Sequence, residues 1–189
     1  MKSWIFKDGH TIRKSIVNLF TAALVFILFN ATGCSDDEPN SQEPIDQLPA
    51  ATQEGKNTFG CLVNGEAWVT ETSIDASAIY QGGFLQLGAN IDRRGIDQGI
   101  GLRVYEEIIE NELYEITKDV GMNASAIFIN SSSNCDYEYT NVTEGDVLIT
   151  KFTLQNPFIV SGTFAFTTAL NGCDTIRVTN GRFDLNYIP

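Results

Sequence analysis

The residues Leu85-Gln86-Leu87-Gly88-Ala89-Asn90-Ile91 place an apolar side chain at every second position, with Gln, Gly and Asn between. Beyond the dipeptide Arg94-Gly95 the pattern resumes as Ile100-Gly101-Leu102-Arg103-Val104. A period of two is what a strand with one buried face produces, because successive Cβ atoms point to opposite sides of a pleated backbone. Two such runs about a turn predict an antiparallel pair.

The same alternation recurs elsewhere in the chain. Phe158, Val160, Gly162, Phe164 and Phe166 alternate with Ser161, Thr163 and Ala165, and Phe183, Leu185 and Tyr187 with Arg182, Asp184 and Asn186. Between these runs stand Asn64-Gly65, Gly82-Gly83, Arg94-Gly95, Glu144-Gly145, Asn171-Gly172 and Asn180-Gly181, read as turn or bulge points. Gly and Asn adopt the positive φ that tight hairpin turns demand. Short strands with turns this frequent predict an all-β fold, a single antiparallel β-sandwich or barrel-like domain over residues 57–189. Glu106 to Ile116 has loosely helical apolar spacing, but two strands turning near Asn111 are preferred. The chain has 43% hydrophobic residues, sufficient for an independent core of this size.

Residues 1–33 read as a signal peptide. Lys2, Lys7, Arg13 and Lys14 precede an apolar run from Ile16 to Phe29, interrupted by Asn18 and Thr21. That run is about 14 residues, short of the roughly 20 that span a bilayer core. Ala31-Thr32-Gly33-Cys34 resembles a bacterial lipobox, with Ala31 in place of the usual Leu. The resemblance implies cleavage before Cys34 and a diacylglycerol on its thiol, anchoring the chain in a membrane; each buried CH₂ contributes about 0.8 kcal/mol. An uncleaved anchor with an incidental cysteine is the other reading. Ser35, Asp36, Asp37 and Glu38 resemble the acidic export signal of Bacteroidota lipoproteins, which implies the cell-surface side of the outer membrane; a periplasm-facing anchor is the alternative. Residues 34–56 carry Pro39, Pro44 and Pro49 among polar residues with no period, and read as a disordered tether.

Two stretches of the domain are distinctive as a pair. The first is Thr58-Phe-Gly-Cys61-Leu-Val-Asn64-Gly65-Glu-Ala-Trp68-Val. The second is Ile159-Val-Ser161-Gly162-Thr163-Phe164-Ala-Phe166, continuing at Val178-Thr-Asn-Gly181-Arg182-Phe183-Asp184. Together they resemble a family of uncharacterised Bacteroidota lipoproteins of the DUF6252 type. The resemblance implies an all-β lipoprotein domain and brings no activity or catalytic residues with it. Physically, the first stretch predicts a hairpin that buries Trp68. In the second, Arg182 and Asp184 share one strand face, as a ligand clamp or, more commonly, a surface ion pair.

Charge and composition narrow the function classes. Without residues 1–33, 8 basic and 23 acidic residues remain, a net charge of −15, which repels the phosphate backbone and argues against nucleic acid as a partner. The one histidine, His10, lies in the expected signal peptide, so Ser-His-Asp and Cys-His catalysis have no base in the mature chain. Of the remaining thiols, Cys61 sits in an apolar strand, whereas Cys135 and Cys173 sit beside loops. An exported chain meets oxidising conditions, and Cys135–Cys173 is the expected disulfide, with three reduced thiols as the alternative. The carboxylates Glu106, Glu107, Glu110, Glu112, Glu115, Asp136 and Glu138 single out no catalytic pair and read as a solvated surface. No metal or cofactor motif stands out. The favoured function is a non-catalytic surface binding module for a protein or glycan ligand. A structural subunit of an envelope complex and a small carboxylate-based hydrolase are the alternatives. Exposed tyrosines among Tyr80, Tyr105, Tyr137 and Tyr139, forming a platform, would point to sugars.

Overall fold

The computed structural model describes residues 42–93, 95–118, 123–133 and 135–189. The expected signal peptide at 1–33, Cys34, the run Ser35, Asp36, Asp37 and Glu38, and Arg94 lie outside the described residues. Among the described residues there is no α-helix, and eleven strands form one mixed sheet. In chain order they are β1 Thr58–Val63, β2 Glu66–Val69, β3 Ala76–Gln81, β4 Phe84–Arg93, β5 Ile96–Val104 and β6 Glu112–Glu115, then β7 Ala124–Asn130, β8 Cys135–Tyr137, β9 Val142–Phe152, β10 Ile159–Thr168 and β11 Ile176–Ile188.

The expected local signals convert directly into hairpins. Asn64 and Gly65, at φ 52° and 90°, turn β1 into β2 with Cys61 opposite Trp68. Gly82 and Gly83 turn β3 into β4, and Gly95 stands between β4 and β5. Glu144-Gly145 and Asn180-Gly181 are different: both lie inside strands, β9 and β11, beside shifts in pairing register. At Gly181 a Cβ would sit 2.6 Å from the Phe164 ring, so the missing side chain is what lets that ring lie flat across the strand. The two strands expected over 106–116 are corrected to one. Residues 106–110 form no strand, Asn111 takes a positive φ of 65°, and only β6 follows.

The sheet is β-sandwich-like and does not close into a barrel. It forks at β11. Along one edge β11 pairs with β10, and along the other first with β1 and then, in parallel, with β3 through Tyr187↔Ala78 and Ile188↔Ile79. One branch is β6-β9-β10-β11-β1-β2; the other runs β3-β4-β5-β7-β8. The parallel pair corrects the expectation of a wholly antiparallel sheet. Both branches turn their apolar positions inward: Phe59, Cys61, Val160, Phe164, Phe183 and Leu185 from the first, and Leu85, Leu87, Ile100, Leu102 and Phe128 from the second. Trp68 is buried against Phe59, and its indole N–H donates to Gln98 Oε1 on β5 at 3.1 Å. That bond satisfies a polar atom that burial would otherwise leave costly.

The residues just before β1 depart most from the sequence reading. Leu48 is buried, and Pro49 packs where a Cβ on Gly60 would come within 2.7 Å of its ring. The carboxylate of Asp184, on the outer face of β11, accepts hydrogen bonds from the Thr52 hydroxyl (2.6 Å) and the N–H groups of Glu54 (3.0 Å), Gly55 (2.8 Å) and Lys56 (3.2 Å). The Ser161 hydroxyl supplies a fifth at 2.7 Å. Arg182 donates to the Pro49 carbonyl, and Asn186 holds Gly55 and Asn57. Arg182 and Asp184 therefore form neither an ion pair nor a ligand clamp; they fasten the incoming chain. Residues 48–57, expected as part of a solvated tether, are seated on the sheet.

Burial pushes the Asp184 carboxyl up, but the donated hydrogen bonds outweigh it and hold the group below its ordinary value. A depressed folded pKa means that the stabilisation is complete above the ordinary value of 3.8 and is lost as pH falls through the lower folded value. All five partners are donors, so an amide nitrogen at this place would face N–H and O–H groups. Asp184→Asn is expected to cost about 3 kcal/mol in urea unfolding at neutral pH, and to flatten the loss of stability below pH 3.8.

Candidate functional site

The outer face of β4, β5 and β7 is bare where a sheet face usually carries side chains. In β4 the buried residues Leu85, Leu87, Ala89 and Ile91 point inward, so Gln86, Gly88 and Asn90 point out. Register places Gly88 opposite Gly101, and Asn90 opposite Gly99. Gly88, Gly99 and Gly101 thus take neighbouring outward positions, and of the three Gly101 lines the depression. A groove of about 410 Å³ lies there, floored by Gly101 and by Ile127, which leans over it.

The rim is polar and aromatic. Arg103 and Tyr105 follow Gly101 on β5 and its end, Ser125 stands opposite Arg103 on β7, and Glu138 and Tyr139 close the far side after β8. The Tyr105 and Ser125 hydroxyls are 3.0 Å apart, and the Tyr105 ring meets Phe84 edge-on. Arg103 donates to Gln86 Oε1 at 2.9 Å, and its guanidinium carbon lies 5.9 Å from the centre of the Tyr105 ring. Tyr139 is 42% exposed. Two tyrosines 34 positions apart in the chain thus flank one depression, with four hydrogen-bonding side chains around it. Of the aromatic residues singled out from sequence, Tyr105 and Tyr139 line the groove, Tyr137 and Trp68 are buried, and Tyr80 packs on Phe152 and Tyr187.

Cys135 and Cys173 are joined by a disulfide, the pairing expected from their loops. It fastens β8 to the β10–β11 connection, where Tyr137 also donates to the Asp174 carbonyl. In the chain-entropy picture, closing a loop of this separation stabilises by about 4 kcal/mol. The bond thereby fixes the strand from which Glu138 and Tyr139 extend. Cys61 is free and buried, and burial pushes its thiol up to about 12, far from nucleophilic at neutral pH.

The acidic residues do not gather into a catalytic pair in this groove. Glu138 is the one carboxylate among its lining residues, while Glu106, Glu107, Glu112, Glu115 and Asp136 are exposed. A backbone N–H from Phe152 draws Glu110 below its ordinary value, aided by Lys151, opposite to what a general acid needs. A second depression, at the β6–β9 edge, is lined by Glu115, Glu144 and Asp146 beside Lys118. Among the described residues, no three His, Cys, Asp or Glu side chains converge as a metal site. Comparison with known protein families, with curated proteins and with solved structures finds no match.

Gly88, on the outer face of β4, and the core glycines are different in kind. A Cβ on Gly88 would meet only Ser77 Oγ, at 3.9 Å, whereas one on Gly162 would lie 2.1 Å from the Leu148 carbonyl oxygen. Gly88→Val is therefore expected to melt within a few degrees of the parent chain, and Gly162→Ala to lose about 3 kcal/mol or more. Thermal unfolding followed by circular dichroism checks both; an equal loss in the two would place Gly88 among the packing glycines.

Proposed function

We propose that the protein is an exported, lipid-anchored outer-membrane protein whose groove on the outer face of β4, β5 and β7 binds a glycan. The observation that carries the binding half is the placing of Tyr105 and Tyr139 on one groove floored by Gly101 and Ile127. Sugar rings present C–H faces that pack on aromatic rings, and hydroxyls that need planar, oriented polar partners. Tyr105 and Tyr139 supply the first; Gln86, Arg103, Ser125 and Glu138 supply the second. A concave, mostly preformed site with few polar groups is the usual form of a small-ligand surface.

The location half rests on residues 1–38: the basic, apolar and small-residue regions ending at Cys34, and the acidic run from Ser35 to Glu38. The family resemblance of the Thr58–Val69 and Ile159–Asp184 stretches agrees with it. Binding rather than catalysis fits a groove with a single carboxylate and a mature chain without histidine. Seating residues 48–57 on the outside of β11 and β1 leaves the groove, on the other branch of the sheet, uncovered by the incoming chain.

The test is glycan binding by intact producing cells and by the purified protein, using a panel of labelled polysaccharides. At least one is expected to bind. Tyr139→Ala is expected to weaken it about tenfold, and Cys34→Ser to release the binding activity from the cells. A panel without a single binder, or a Tyr139→Ala protein with undiminished affinity, contradicts the reading.

A further inference from the structure

The groove contains a cation with no carboxylate partner among the described residues. Arg103 is exposed on the outer face of β5, and three ion pairs occur among the described residues: Lys56–Glu54, Arg93–Glu71 and Lys151–Glu110. Arg103, like Lys118, Arg177 and Arg182, is in none of them, although acidic residues outnumber basic ones 24 to 12 in the chain. Glu138 lines the same groove without pairing to it. What holds Arg103 is neutral: the Gln86 amide oxygen at 2.9 Å, and the face of Tyr105 at 5.9 Å.

This is a distinctive way to hold a guanidinium. A carboxylate partner would fix the side chain and cancel its charge. An amide oxygen and an aromatic ring fix it and leave the charge in place. Arg carries five N–H donors, and one is spent on Gln86, so a fork remains for a planar anion. The Ser125 and Tyr105 hydroxyls stand beside it, suited to the ring hydroxyls that neighbour such a group.

We infer that the groove selects a carboxylated sugar, a hexuronate within a polysaccharide, and that Arg103 holds its carboxylate. This rests on the glycan reading of the same groove and adds the charge of the ligand. The acidic surface works against any polyanion, as it does against a phosphate backbone. A polyanion approaches a chain of this net charge against repulsion, so a preference for the acid over its neutral ester has to come from a local contact. Arg103 is the one cation among the residues that line the groove.

The experiment compares polygalacturonate, alginate and hyaluronan with their methyl-esterified forms, and with neutral dextran and xylan, by isothermal titration of the purified protein. At least one free acid is expected to bind about tenfold or more tighter than its ester. Arg103→Gln is expected to remove that preference, and Arg103→Lys to restore part of it. The thermal midpoint of both variants reports folding independently, since Arg103 is exposed. Equal binding of acid and ester, a preference that survives in Arg103→Gln, or binding of neutral glycans alone overturns the uronate inference and leaves the glycan reading standing. Binding of none of these polymers overturns both.

Discussion

The fold depends on the placement of one strand. β11 borders β10 on one side and both β1 and β3 on the other, so it is the strand that joins the two branches of the sheet, which an isolated parallel bridge, Ile116↔Ala124, also links. Its inner residues Phe183, Leu185 and Tyr187 belong to the core, while its outer residues Arg182, Asp184 and Asn186 hold the chain that leads into β1. The carboxylate of Asp184 is the tightest point of that arrangement. A buried anion is tolerable only when its lone pairs are met, and here five donors meet them. Three of the donors are consecutive backbone N–H groups, which is why a polar segment without apolar periodicity is nevertheless ordered.

That fastening has a consequence for where a ligand can sit. The incoming chain occupies the outer side of β1 and β11, with Leu48 buried and Pro49 over Gly60. Among the described residues, the outer side of β4, β5 and β7 carries no such cover. There Gly88 faces Gly101 in register, and Tyr105, Tyr139, Arg103 and Gln86 line the groove over Gly101 and Ile127. A strand gives up packing when glycine replaces a side chain. Gly88 has open room above it, whereas Gly99 and Gly101 are approached by Asn90 and Ile127. The Cys135–Cys173 disulfide and the Tyr137 hydrogen bond then keep the Tyr139 side of the rim in place.

Much of this was legible from residue order alone, and the reason is local. Alternation in β4, β5, β10 and β11, the Asn64-Gly65 hairpin, the burial of Trp68 and Cys61 and the pairing of the two loop cysteines follow from period, turn chemistry and neighbours. The misses share a different cause. The segment 48–57 is held by hydrogen bonds to a residue about 130 positions away, which composition cannot reveal. Arg182 and Asp184 were rightly placed on one face, but their partners came from that segment. Glu144-Gly145 has turn chemistry, yet Gly145 is where β9 meets Phe166 too closely for a Cβ. The glycines of the groove read as the polar side of an alternating strand, and only register shows that they face one another. The signal available was Gly88 and Gly101 flanking Gln86 and Arg103 on two adjacent predicted strands.

The ligand is proposed to lie on the face of β4, β5 and β7 that residues 48–57 leave open. Hydrogen–deuterium exchange of the protein, with and without its tightest-binding polysaccharide, tests this most directly. Slowed exchange confined to peptides covering Gln86–Gly88, Gly101–Tyr105, Ser125–Ile127 and Glu138–Tyr139 is expected. Slowed exchange over residues 48–57 or the β6 edge, with those peptides unchanged, would contradict it.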